Sequence, residues 1–277
     1  MGYDLAGKRV VVTGASSGIG AGLASAFAAA GATVGLCARR ADRLRDVADA
    51  CSGGAWFRAC DLAVAADVDA FAAEVLERGG VDVLVNNAGI PKRRHVTALD
   101  AETVDRVMTV NFLAPARLTL ALLPSLLSPP GGDGARIVNV SSVAAVVSSP
   151  GEAAYDASKA ALAVWSEAIA VDLWDRGVKV MVVYPGVFDT ELFTLADNDP
   201  YTGPLELQPV SVLVDAVVDG LASDAAQVFV PEFFRDLAAS KAADTGGFLA
   251  GTAEWVRSQS PQSPQSPQSP QSSQQGG

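Results

Sequence analysis

Histidine is nearly missing from this chain: His95 stands alone among 277 residues. A metal site built on histidines therefore has no ligand set, and a hydrolase of the Ser-His-Asp type is set aside with it. His95 follows Lys92-Arg93-Arg94 and reads as part of a solvated basic loop. Cysteine is also scarce. Cys37, Cys51 and Cys60 are odd in number and lack metal-like spacing, which predicts reduced thiols in a cytoplasmic protein. Positive charge is outnumbered, with 20 Lys and Arg against 31 Asp and Glu, so no basic face is expected for a nucleic acid. Long hydrophobic runs are missing too. The longest, residues 118–127, is too short for a bilayer and contains Pro124, which predicts no integral membrane segment. The N-terminus shows no basic segment followed by an apolar one, and Ala6 stands where a myristoylation signal at Gly2 needs Ser or Thr.

What the chain has in quantity is apolar residues, 49% of the total. They fall into short runs at 9–13, 33–37, 56–60, 81–85, 136–140, 179–183 and 227–230. Most are apolar throughout, as strands buried on both faces of a parallel sheet are. Between them, residues 19–30, 41–50, 65–77, 101–123, 153–175 and 210–221 have helical spacing. This alternation predicts an α/β fold, doubly wound in three layers, with a seven-stranded, mainly parallel sheet. Residues 1–257 read as a single nucleotide-binding and catalytic domain. Residues 258–277, rich in Ser, Pro and Gln, read as a disordered tail of unknown role.

In such sheets ligands bind beyond the carboxyl ends of the strands. Four predicted strands end in polar or glycine clusters: Thr13-Gly14, Asn86-Asn87-Ala88-Gly89, Ser141-Ser142 and Tyr184-Pro185-Gly186. The first opens Gly14-Ala15-Ser16-Ser17-Gly18-Ile19-Gly20, which lies between a strand and a helix. Glycines there let a pyrophosphate approach backbone amides at a helix N-terminus. Tyr155 and Lys159 are four residues apart, hence on one helix face, and Ser142 precedes that tyrosine by thirteen. A lysine ammonium beside a phenol favours the phenolate, and a phenol so tuned can exchange a proton with a substrate oxygen.

The glycine spacing, Asn86-Asn87-Ala88-Gly89 and Tyr155-x-x-x-Lys159, in this order, resemble the short-chain dehydrogenase/reductase (SDR) family, over roughly residues 5–230. The resemblance implies a Rossmann-like fold and an NAD(P)-dependent oxidoreductase interconverting a carbonyl and a secondary alcohol. It implies Ser142, Tyr155, Lys159 and Asn111 as catalytic. Gly14, Ser16, Ser17, Gly18, Ile19, Gly20, Asn87, Ala88, Gly89, Pro185, Gly186, Val187 and Thr190 would border the cofactor, with Tyr155 and Lys159. Asp61 and Leu62 would lie near the adenine, although Asp61 also suits a helix N-cap. The second strand ends in Arg39-Arg40 and not in an acidic residue. Two arginines there favour the 2′-phosphate of NADP(H), Arg39 first and Arg40 second, with NAD(H) as the lesser option. Asn111 would kink its helix and support a proton relay.

Phe188, Leu192, Phe193, Leu195 and Tyr201 predict an apolar flap, hence an apolar ketone or aldehyde as substrate. Family members are commonly dimers or tetramers, so the expectation is a homodimer or homotetramer. Two rivals stand beside this reading. A non-catalytic NADP-binding sensor or scaffold should have lost part of Ser142, Tyr155 and Lys159. A sugar epimerase or dehydratase should have a larger C-terminal substrate domain.

Overall fold

Most of the apolar runs become strands because protein covers them on both sides; the runs at 56–60 and 227–230 form edge strands that are only partly buried. The computed structural model describes residues 2–259 apart from 52, 53 and 202. Its strands are β1 (Arg9–Thr13), β2 (Thr33–Ala38), β3 (Trp56–Ala59), β4 (Val83–Asn86), β5 (Ala135–Val140), β6 (Val178–Pro185) and β7 (Gln227–Val230). They form one sheet in the order β3-β2-β1-β4-β5-β6-β7. Every neighbouring pair is parallel, which narrows the expected mainly parallel sheet to a wholly parallel one.

Two apolar cores, one on each face, explain the unbroken runs. Side chains alternate across a strand. Val10 and Val12 therefore enter one core with Val83, Val85, Val138 and Val140. Val11, Leu84 and Ile137 enter the other. The first core is roofed by α1 (Gly18–Ala29), α2 (Ala41–Ala50) and α8 (Val210–Ala222), through Leu23, Phe27, Leu44, Leu213 and Val217. The second is roofed by α3 (Ala65–Glu77) and α5 (Ala114–Leu126), through Phe71, Val75, Leu118, Leu122 and Leu126. Beside α5 runs α7 (Ala153–Asp172), and α6 (Ala144–Val147) follows the end of β5. This is the doubly wound three-layer α/β arrangement that the alternation predicts.

One expected helix is divided. Residues 101–126 form α4 (Ala101–Met108), a π-helical turn over Thr109–Leu113, and α5. Among the described residues this is the one helix long and apolar enough to cross a membrane. Its inner face (Val107, Leu118, Leu122, Leu126) packs against protein, as that of a core helix does. The chain divides into two compact units, one ending at Ala239 and the other starting at Ser240. Helices α9 (Phe233–Ala243) and α10 (Thr245–Gln259) complete the described chain, and neither was expected from spacing. Within the second unit, Asp244 accepts the Gly247 amide at 2.9 Å and Lys241 O accepts the Thr245 hydroxyl at 3.0 Å. Of the predicted tail, Ser258 and Gln259 finish α10, and residues 260–277 lie outside the described residues.

Candidate active site

Because the strands are parallel, all their carboxyl ends share one edge of the sheet. There β1 hands over to α1 through the glycine-rich loop. Gly14 has φ +68°, and a Cβ on it would lie 2.8 Å from the Ala88 Cα. On Gly20 a Cβ would lie 2.4 Å from the Gly14 carbonyl oxygen. Both positions are closed to a side chain by backbone alone. The loop is pinned from β4: Thr13 Oγ1 accepts the amides of Asn87 (3.0 Å) and Ala88 (3.1 Å), and Asn87 Nδ2 donates to Thr13 O at 2.9 Å. Ser17, the N-cap residue of α1, makes no side-chain hydrogen bond to the first-turn amides, which leaves them open to an anion. A glycine cradle ending in an uncapped helix N-terminus is what a dinucleotide pyrophosphate requires, so these residues fit the cofactor that the resemblance implies.

Next to this cradle, at the ends of β4 and β5, the three reactive side chains meet. Lys159 is buried and donates Nζ to the Val140 carbonyl at 2.8 Å. Gly89 lies against it, since a Cβ there would stand 3.2 Å from Nζ. Lys159 Nζ is 5.8 Å from the centre of the Tyr155 ring. Ser142 is buried, takes the Ala144 amide at 3.1 Å and has its hydroxyl close enough to the Tyr155 phenol to favour the phenolate. Ser141 serves structure instead: its hydroxyl donates to Lys159 O at 2.8 Å.

The electrostatics differ from the sequence expectation. The spacing predicts a phenol acidified by Lys159, yet the Tyr155 pKa is raised. Tyr155 is half-buried as a residue, but its phenol end is crowded, and burial is the main cause. The Glu152 and Asp156 carboxylates push the same way, while the Ser142 hydroxyl and the Arg93 charge oppose it. Burial also lowers Lys159 from 10.5 to about 8, which weakens the charge that was to tune the phenol.

This shift has a measurable consequence. From about pH 8 to 10.5 the unfolded chain keeps a proton that folded Lys159 has released, so stability rises with pH across that window. The stability of wild type minus that of Lys159→Met is expected to climb by up to about 3 kcal/mol over it. Urea midpoints at pH 7.5 and 10 measure the climb, and a flat difference would count against the burial of this amine. The raised Tyr155 group works in the opposite direction, but only above pH 10.

Asn111 sits fully buried in the π-helical turn, in line with the expected kink. Its Oδ1 accepts the Ile90 amide at 2.8 Å, and its Nδ2 donates to Ile90 O and to Ser158 Oγ, both at 3.0 Å. Ser158, buried between Tyr155 and Lys159 in sequence, donates to Tyr155 O at 2.7 Å. Sequence reasoning passed over it, although it lies inside the Tyr155-x-x-x-Lys159 motif. Asn86 faces away from this cluster and holds Thr119 and Asn139 across the sheet, a structural role.

The remaining expected residues line the same edge. Asp61 is not the N-cap of α3; that is Val64. Asp61 instead accepts the Ala63 amide at 3.0 Å in a local turn, with Leu62 buried beside it. Pro185 ends β6, Gly186 N donates to Val230 O at 2.8 Å, and Val187 O accepts the Gln208 amide at 3.0 Å. Thr190 faces Gly18, whose Cβ would stand 3.1 Å from Thr190 Cγ2, and Ile19 packs onto the core. The expected 2′-phosphate pair divides. Arg39 is exposed, whereas Arg40 turns back onto Ser16 and Ser17. Phe188 is a correction to the apolar flap: it is buried in the first core.

The basic loop is a second correction. His95 is exposed as expected, but Lys92 and Arg93 are only 8% and 6% exposed. Lys92 Nζ meets the Asp197 carboxylate at 2.7 Å. Arg93 donates to Asp199 O at 2.9 Å and Phe193 O at 3.1 Å, stacks on the Phe193 ring, and lies 3.7 Å from Glu152. The partners Asp197, Asp199 and Phe193 stand about a hundred residues away in sequence, so no local signal marks the loop as the anchor of the flap.

Residues 8–200 match the short chain dehydrogenase family. Dehydrogenase/reductase SDR family member 7B of Mus musculus is 37% identical over 191 residues, 66% of this chain and 58% of that protein. The chain thus spans somewhat over half the length of that relative. A fatty acyl-CoA reductase of Mycobacterium tuberculosis is 39% identical over 207 residues, 72% of this chain and 69% of its own. Among solved structures, a short-chain dehydrogenase from Streptomyces avermitilis has a TM-score of 0.77 at 30% identity, covering 92% of this chain and 98% of that one. One from Sphingobium yanoikuyae, in complex with NADPH, has a TM-score of 0.75 at 30% identity, covering 92% and 97%. With the glycine cradle, the Ser142, Tyr155 and Lys159 cluster and the sheet order all in agreement, the chain belongs to the short chain dehydrogenase family.

Proposed function

We propose that this protein is an oxidoreductase that interconverts a carbonyl and a secondary alcohol, prefers NADP(H) over NAD(H), and takes an apolar ketone or aldehyde. The observation that carries the reading is the meeting of the Tyr155 phenol, the Ser142 hydroxyl and the buried Lys159 amine beside the Gly14–Gly20 cradle. When bound, the nicotinamide supplies or accepts the hydride. The chain's own residues handle the oxygen. Ser142 holds the carbonyl oxygen by a hydrogen bond, and Tyr155 gives that oxygen its proton during reduction. The raised pKa keeps Tyr155 protonated at neutral pH, the state a proton donor needs. Tyr155 must then regain a proton, and Lys159, poised near 8 and 5.8 Å from the centre of the Tyr155 ring, can return one to it.

Arg39, exposed at the end of β2, supports the NADP preference, as does the NADPH in the Sphingobium yanoikuyae neighbour. The edge-on pair Phe193 and Tyr201, 5.4 Å apart on the flap, supports an apolar substrate. The acyl-CoA-reducing relative is consistent with a lipid-like one. A panel of apolar ketones and aldehydes with NADPH and NADH, run beside Tyr155→Phe, tests the reading. Absence of turnover with every member and both cofactors would overturn it.

We infer further that the protein is a homodimer or homotetramer. Leu113 and Leu120, seven residues apart beside and on α5, are 52% and 62% exposed, and Val164 and Val171, with the same spacing on α7, are 66% and 74% exposed. Helical residues seven apart share a face, so each helix exposes two apolar side chains on one face, with the charged Arg117 and Glu167 between them. Light scattering should give two or four times the chain mass for wild type and a lower mass for Leu120→Glu/Val164→Glu. A monomeric wild type would remove the idea.

A further inference from the structure

Glu191 lies just past Thr190 on the turn after β6, 151 residues from Arg40. One carboxylate oxygen accepts Arg40 Nη1 at 2.7 Å, and the other accepts Arg43 Nη1. Arg40 spends its remaining donors on the glycine-rich loop: Nε and Nη2 reach Ser16 Oγ at 3.3 and 3.0 Å, and Nη2 reaches Ser17 Oγ at 2.8 Å. A single guanidinium therefore joins the end of β2, the cradle and the flap. The two arginines pull the Glu191 carboxyl down to about 2, so it is an anion at any physiological pH. Arg40, Arg43 and Glu191 are all about half open to solvent (41%, 44% and 45%), so their contacts can exchange with a ligand.

We propose that Glu191 is a specificity-determining residue: it competes with the 2′-phosphate of NADP(H) for Arg40 and Arg43, and so limits the preference for NADP(H) over NAD(H). The inference rests on the NADP(H) reading given above. A phosphate seeking paired N–H donors from Arg40 must displace the carboxylate or sit beside its negative charge. NAD(H) has no group at that position and makes no such exchange. Glu191 thus acts against the charge of one cofactor and is neutral toward the other, as specificity by repulsion requires.

The test is a set of dissociation constants for NADPH and NADH, by calorimetry at one ionic strength. It uses wild type, Glu191→Gln, Arg40→Met and Arg39→Asp. Glu191→Gln keeps the size of the side chain and removes its charge. It is expected to tighten NADPH about three- to fivefold, the scale of an exposed ion pair, and to leave NADH unchanged. Either unchanged constants or equal weakening of both cofactors in Glu191→Gln would overturn the proposal, the second showing a clasp over any dinucleotide. The cofactor reading is judged separately. Wild type should bind NADPH more tightly than NADH, and Arg39→Asp should reverse the order. If wild type binds both alike and the arginine variants change nothing, the cofactor reading falls and Glu191 falls with it.

Discussion

Tyr155→Phe is expected to lower turnover by at least about a hundredfold, the lower end of what a positioned proton donor contributes. Dissociation constants for the cofactor should stay within about twofold. The substitution removes one oxygen. It keeps the ring packed near Lys159, whose amine remains held by the Val140 carbonyl at 2.8 Å. Burial of the wild-type phenol raises its pKa, so the loss should be as complete at pH 6 as at pH 8, since the group is protonated throughout that range. Steady-state rates and cofactor titrations at both pH values check this. Retention of more than a tenth of the turnover would assign proton transfer to another group.

The second large effect is expected at Gly20. An alanine methyl would lie 2.4 Å from Gly14 O and 2.6 Å from Asn87 Nδ2, both parts of the cradle itself. Relief requires the β1–α1 loop to move away from Asn87. That breaks the hydrogen bonds aligning the loop with the end of β4. Dinucleotide affinity should fall more than tenfold, with a stability cost of about 1–3 kcal/mol from overpacking. Intrinsic fluorescence titration reads the first and urea denaturation the second. Wild-type affinity in Gly20→Ala would mean that this turn does not hold the pyrophosphate.

Much of this site was legible before folding. Gly14 to Gly20, Asn87 to Gly89 and Ser142 stand at strand ends, which a parallel sheet must bring to one edge, and Tyr155 and Lys159 are one turn apart on α7. Asn111 was legible as a poor helix residue within a helix, and it marks the π-helical turn. Arg93 and Glu191 were not legible in their roles. Each is an ordinary charged residue until a partner arrives, for Arg93 100 and 106 residues away and for Glu191 148 and 151. The direction of the Tyr155 shift was hidden as well. The motif shows which charge is four residues away, but not how much protein surrounds the phenol or that Glu152 and Asp156 add to the effect.

Local chemistry along the chain decided the strand and helix pattern, the parallel layering and the identity of the reactive trio. The pattern depends on side-chain periodicity and the Tyr155–Lys159 pair on spacing of one helical turn, while Ser142, thirteen residues upstream, came from the family resemblance. Three-dimensional packing alone decided the protonation of Tyr155 and Lys159, the burial of Lys92 and Arg93 under the flap, and the pairing of Glu191 with the arginines after β2. The physical reason is common to all three. Desolvation and ion pairing depend on which distant segments share a volume, and that is settled only when the strand ends and the loops beyond them come together.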